Sequence, residues 1–189
     1  MKNRKIFGTL VEQKKDKKIS LILGARQVGK TTILKALYSS FQEKNKALYL
    51  DLDIFTNFEK VSSFENVVNT LKLAGYEEHQ SDFFYLFLDE FQRYTNVSMI
   101  MKNVYDSFDN IKIYASGSSS LTIKNQVQES LAGRKIITIL HPLDFEEFLW
   151  FKESEINLQN TQNLSGENLH HPTLSLFELL KEFIIFGGY

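Results

Sequence analysis

Residues 19–32 read ISLILGARQVGKTT: an apolar run at 19–23, a loop bounded by Gly24 and Gly29, then Lys30-Thr31-Thr32 leading into ILKALY at 33–38, which has helical spacing. Gly-x-x-x-x-Gly-Lys-Thr between a buried strand and a helix is the Walker A pattern of a nucleotide phosphate loop. The residue types follow from the ligand. Gly24 and Gly29 let the backbone bend and approach phosphate, so that the N–H groups of Ala25, Arg26, Gln27, Val28 and the helix N-terminus face the anion. Lys30 is expected to reach the β- and γ-phosphates, Thr31 to ligate Mg²⁺, and Thr32 to donate to the α-phosphate.

Working outward, short apolar runs recur at 47–52, 83–88, 111–115 and 136–140. Each is nearly all apolar, as strands covered on both faces are. Helical patterns lie between them at 31–38, 64–73, 97–108 and, more polar, 121–131. Ser63 offers an N-cap and Gly75 a stop for the second of these. Strands alternating with helices predict an α/β fold with a parallel sheet. A further helix is expected from Asp144 to Phe151, residues 152–172 read as a polar exposed loop, and an apolar helical pattern resumes at Leu174. The expected domains are an ATPase core at 1–151, the polar loop at 152–172, and the start of a helical or winged-helix-like segment at 173–189.

The run at 83–88 ends in Asp89-Glu90. A carboxylate at the carboxyl end of a buried strand faces the ligand crevice of an open α/β sheet, so Asp89 is the expected water-mediated partner of Mg²⁺. The adjacent Glu90 is placed to polarise water for attack on the γ-phosphate. The next run continues into Ser116-Gly117-Ser118, where Ser116 or Ser118 is expected to bond the γ-phosphate or the water; the sequence does not say which serine points inward. Arginine occurs only at Arg4, Arg26, Arg93 and Arg134. Arg134 is a candidate for stabilising transition-state charge, in cis or toward a neighbouring subunit, and equally a candidate for a structural ion pair.

The remaining features bound the function. A net charge of -1 gives no global signal for nucleic acid, and the absence of cysteine removes disulfides and thiolate metal sites. His141 and His170-His171 lie beside prolines with no converging ligands, so no separate metal site is expected. The apolar stretch at 6–11 is interrupted by Gly8 and stopped by Glu12, too short for a signal peptide, and no stretch is long enough to span a bilayer. A cytoplasmic location is expected, with no membrane partner. A P-loop kinase would call for an arginine-rich lid, and a GTPase for an Asn-Lys-x-Asp motif; neither is present.

The set GARQVGKTT, LFLDEFQR, ASGSSSL, LAGRK, LHPLDFEEFLW and the terminal FGGY resembles, in this order and over most of the chain, the AAA-family ATP-binding proteins of bacteria and archaea whose ATPase domain precedes a C-terminal domain of unknown function. The resemblance implies a three-layer P-loop NTPase fold of the ASCE type, its five-stranded sheet ordered 5-1-4-3-2 with helices on both faces. It also implies that a C-terminal domain would follow where this chain ends. The expectation is therefore an ATPase domain that hydrolyses Mg-ATP to drive a conformational change, with Glu90, Lys30 and Arg134 as working residues. The alternative is a nonhydrolysing ATP-dependent switch contacting DNA or a protein, and a homo-oligomer is compatible with either.

Overall fold

The computed structural model describes residues 4–42, 46–79, 81–152 and 172–187, apart from the side chains at 121, 122, 124, 126 and 172–175. The chain divides into two units, Ile6–Leu140, and Met1–Lys5 together with His141–Tyr189.

The larger unit is built on five parallel strands: β1 (Ile19–Gly24), β2 (Ala47–Asp51), β3 (Phe84–Asp89), β4 (Ile111–Ser118) and β5 (Lys135–Leu140). Their order across the sheet is β2-β3-β4-β1-β5, the expected 5-1-4-3-2 read from the opposite edge. Alternation along each strand sends side chains to two faces. On one face Ile22, Phe87 and Tyr114 meet Leu10 of α1 (Ile6–Glu12) and Ile33, Leu34, Leu37 and Phe41 of α2 (Lys30–Gln42). On the other, Leu21, Leu23, Leu88, Ile113 and Ala115 pack with α4 (Phe64–Leu73), α5 (Val97–Ser107) and α6 (Leu121–Ser130). Helices therefore cover both faces, giving the three layers of an α/β nucleotide-binding fold. The short α3 (Phe55–Glu59) follows β2.

Local chemistry sets the element ends. Ser63 caps α4 by accepting from the N–H of Asn66 at 3.2 Å, and Gly75, at φ +90°, takes the left-handed conformation beyond its end. α2 starts at the close of the phosphate loop, where Ile33 N–H donates to the Gly29 carbonyl at 3.0 Å.

In the smaller unit α7 (Phe145–Phe151) opens with a capping box in which Asp144 and Glu147 exchange side-chain and backbone bonds. Buried Arg4 donates to Glu147 at 3.0 Å and to the His141 carbonyl at 2.7 Å, and Phe145 and Phe148 pack against Phe183 of α8 (Pro172–Phe186). α7 thus groups with α8, and the larger compact unit ends at Leu140.

Several boundaries differ from the sequence reading. β4 continues through Ser116-Gly117-Ser118, because Gly117 and Ser118 pair with Leu23 and Gly24 of β1. α2 runs past Tyr38 to Gln42, since Phe41 is buried in the core. β5 is an edge strand and leaves Ile137 and Ile139 exposed, so it is not covered on both faces. The helices α1 and α3 have no counterpart in the sequence reading. The loop expected at 152–172 lies almost wholly outside the described residues, as do His170 and His171.

Candidate functional site

β1 delivers the chain to the phosphate loop at Gly24, where the backbone is packed tightly. A Cβ on Gly24 would lie 2.4 Å from the Leu140 carbonyl oxygen and 3.0 Å from Val28 Cγ2. The loop then turns through two left-handed residues, Gln27 at φ +66° and Gly29 at φ +94°. A non-glycine residue held in that region is a strained feature of the kind that gathers at functional sites. Val28 is buried and anchors the loop, while Ala25, Arg26 and Gln27 are exposed. Lys30 is 5% exposed, and its Nζ donates to the Ala25 carbonyl at 2.7 Å, so the ammonium group lies across the loop it belongs to. Thr31 is half-buried and Thr32 exposed at the start of α2.

At the adjacent strand ends stands the acidic pair. Asp89, the last residue of β3, is 1% exposed. Its Oδ2 accepts from the Tyr49 hydroxyl of β2 at 2.7 Å, and its Oδ1 accepts from the Ser116 hydroxyl of β4. Burial, and then the bond to the Asp89 carboxylate, hold the Tyr49 phenol well above its ordinary pKa, which keeps it a donor. Glu90 takes the left-handed conformation at φ 56°, ψ 42° and sends its N–H to Ser116 Oγ at 3.3 Å. Gln92, in the turn that follows, donates from Nε2 to Glu90 Oε2 and accepts on Oε1 from the N–H of Ser118 at 3.2 Å.

Asp89 is buried, while the loop and Glu90, the second residue of the acidic pair, line a shared cleft of about 490 Å³. Its cations are Arg26, Lys30 and Arg93, its carboxylates Asp53 and Glu90, and Gln27, Gln92 and Ser118 complete the wall. Arg93 Nε is held by Asp53 Oδ1 at 2.6 Å.

The structure therefore brings together the phosphate loop, Asp89, Glu90 and Ser118 from separate strand ends. Two expectations need correction. Ser116 is completely buried and its hydroxyl is committed to Asp89 and Glu90, so of the two serines it is Ser118 that faces the cleft. Arg134 does not approach the loop of its own chain. Its carbonyl accepts from Ile19 N–H at the opposite, amino end of β1, a strand length on the order of 15–20 Å away, and its guanidinium grips Asp106 through bonds of 2.7 and 3.1 Å. Residues that the sequence reading did not place are Asp53, Gln92 and Tyr49, which reach the site from distant positions or through a side-chain amide.

The donor set suits the groups implied by this fold. A carboxylate flanked by two neutral hydroxyls at a strand end suits a hydrated cation, and a glycine-walled loop with a lysine across it suits a triphosphate. No cluster of three or more metal-ligating side chains occurs among the described residues, and none of their helices is long and apolar enough to cross a membrane.

Residues 16–149 match the family model described as an AAA domain. A curated relative, an uncharacterized protein of Methanocaldococcus jannaschii, is 32% identical over 176 residues, which is 91% of this chain and 35% of the relative. The chain spans about a third of the length of the curated relatives it matches. Among solved structures, the Aeropyrum pernix ORC1 protein in complex with DNA superposes with a TM-score of 0.55 at 11% identity, covering 93% of this chain and 54% of that one. C. elegans PCH-2 superposes with a TM-score of 0.54 at 13% identity, covering 88% and 49%. At such identities the likeness is one of fold.

Proposed function

The chain belongs to the AAA domain family, and from that premise we propose that it binds Mg-ATP in the cleft at the ends of β1, β3 and β4 and hydrolyses it to drive a conformational change in an attached or partner domain. The observation that carries the reading is that Lys30 and Glu90, the one cation and the one carboxylate hydrolysis most needs, line the same cleft.

The N–H groups of residues 24–29 and of the first turn of α2 receive the phosphates, and Lys30 exchanges the Ala25 carbonyl for phosphate oxygens. Thr31 and, through water, Asp89 would hold Mg²⁺, which supplies charge neutralisation at the phosphate oxygens. Glu90 accepts a proton from the attacking water as the bond from the γ-phosphorus to its bridging oxygen breaks. Arg26 and Arg93 add positive charge at the wall, and Ser118 offers its hydroxyl. Arg134 would serve only a neighbouring copy in a homo-oligomer, because its own cleft lies at the other end of the sheet.

Two substitutions test the reading. Lys30→Ala is expected to weaken ATP binding at least tenfold by fluorescent-nucleotide titration. Glu90→Gln is expected to bind ATP as wild type does while phosphate release falls about 10²-fold, within the range of a general base. Wild-type release by Glu90→Gln removes Glu90 from the chemistry, and binding without release by the wild type selects the nonhydrolysing switch.

A further inference from the structure

Gln92 is absorbed by none of the steps above, yet it is the residue that joins Glu90 to the rest of the sheet. Its side-chain amide is used at both ends: Nε2 donates to Glu90 Oε2, and Oε1 accepts the backbone N–H of Ser118, the last residue of β4, at 3.2 Å. All three residues line the cleft. The place of the amide is shaped by its neighbours. Gly117 has no side chain, and a Cβ there would sit 2.8 Å from Gln92 Oε1 and 2.6 Å from the ring of Phe91, which is itself buried. The backbone contributes as well, since Glu90 stands in the left-handed region and Phe91–Arg93 forms a tight 3₁₀ turn that points Gln92 back toward it.

From this bridge we propose that Gln92 is a positioning residue for Glu90, coupling the carboxylate to the end of β4. The inference rests on the reading of Glu90 as the group that takes the proton from water. A glutamate on a turn has three side-chain rotors, and a carboxylate that must meet one water loses rate when they are free. The bond from Gln92 occupies one oxygen and fixes the plane of the carboxylate, leaving the other oxygen for the water. The second bond carries the position of Ser118, where the γ-phosphate is to be read, to the same carboxylate. Glu90 is thereby aligned with reference to the phosphate rather than to its own turn alone.

The experiment is a comparison of Gln92→Met, Gln92→Glu and Glu90→Gln in the full chain, measuring ATP affinity by fluorescent-nucleotide titration and phosphate release under saturation. Gln92→Met keeps the length and packing of the side chain and removes both bonds. It is expected to lower kcat about tenfold with ATP affinity within twofold of wild type. Gln92→Glu keeps an acceptor for Ser118 and replaces the donor toward Glu90 by a like charge, so it is expected to lose at least as much. Amide hydrogen exchange at Ser118 supplies a readout independent of turnover, faster in Gln92→Met and near wild type in Gln92→Glu. Gly117→Ala, whose methyl group displaces the amide, should reproduce the Gln92→Met phenotype. Wild-type kcat in Gln92→Met beside a silent Glu90→Gln overturns the positioning role alone. A parallel loss of ATP affinity and kcat overturns it too, by making Gln92 a nucleotide contact. Wild-type kcat in Glu90→Gln overturns the underlying reading instead.

Discussion

Gly24 illustrates how narrow the tolerances at the site are. Because a methyl group there would meet a backbone carbonyl of β5, which cannot swing away as a side-chain tip does, Gly24→Ala is expected to destabilise the protein by about 1–3 kcal/mol. Urea unfolding checks this, and a midpoint unchanged from wild type would show that β1 and β5 part readily. The positions of Lys30, Asp89 and Glu90 were legible because they depend on local spacing: a loop of fixed length, then a strand end. Ser116 and Ser118 were not separable: two apart on one strand, they share a face, and only the continuation of β4 to its pairing with Gly24 leaves Ser116 deep in the sheet and Ser118 at its end. Gln92 was still less legible, its backbone partner lying 26 residues away. Arg134 carried no sign in the sequence that its partner would be Asp106, at the end of the sheet away from the loop.

Elements were legible in proportion to the apolar surface they bury. The five strands were found because all are rich in apolar residues and three of them, β1, β3 and β4, are buried along most of their length, and α4 and α5 because their stripes repeat over three turns. α1 buries only Leu10 and carries Gly8, and α3 buries nothing fully, so neither has a pattern to detect. α4 is also held by its cap. Ser63→Ala leaves the first-turn N–H of Asn66 without its acceptor and is expected to cost about 0.5–2 kcal/mol. Thermal unfolding measures the loss, and Ser63→Asp, which restores an acceptor, should recover it.

For the molecule as a whole, pH reports the cost of its buried core. Lys112 at the start of β4 is completely buried, donates to the Lys18 carbonyl, and is pushed down to about 8 by burial. Its folded pKa lies below the unfolded value near 10.4, so the unfolded chain binds more protons between the two. The Lys112 contribution is accordingly flat just below pH 8 and raises stability from pH 8 toward 10, by about 3 kcal/mol if Lys112 acts alone. Past pH 10 the trend reverses, because Tyr49, Tyr76, Tyr85 and Tyr114 are held neutral in the fold, mainly by burial, while the unfolded tyrosines ionise. Urea unfolding at half-unit steps should trace this rise and fall, and Lys112→Met should flatten the rising limb. A steady decline from pH 8 would contradict it.

The hydroxyls that flank Asp89 have a mechanical side. Tyr49, Asp89 and Ser116 form a crossbar over β2, β3 and β4, and β2 is the outermost strand on its side of the sheet. The acid is therefore mounted one hydroxyl away from the edge strand of the sheet. A displacement of β2 would move the Tyr49 hydroxyl against the carboxylate without passing through the loop, so the edge strand and the loop are two separate handles on a single buried carboxyl group.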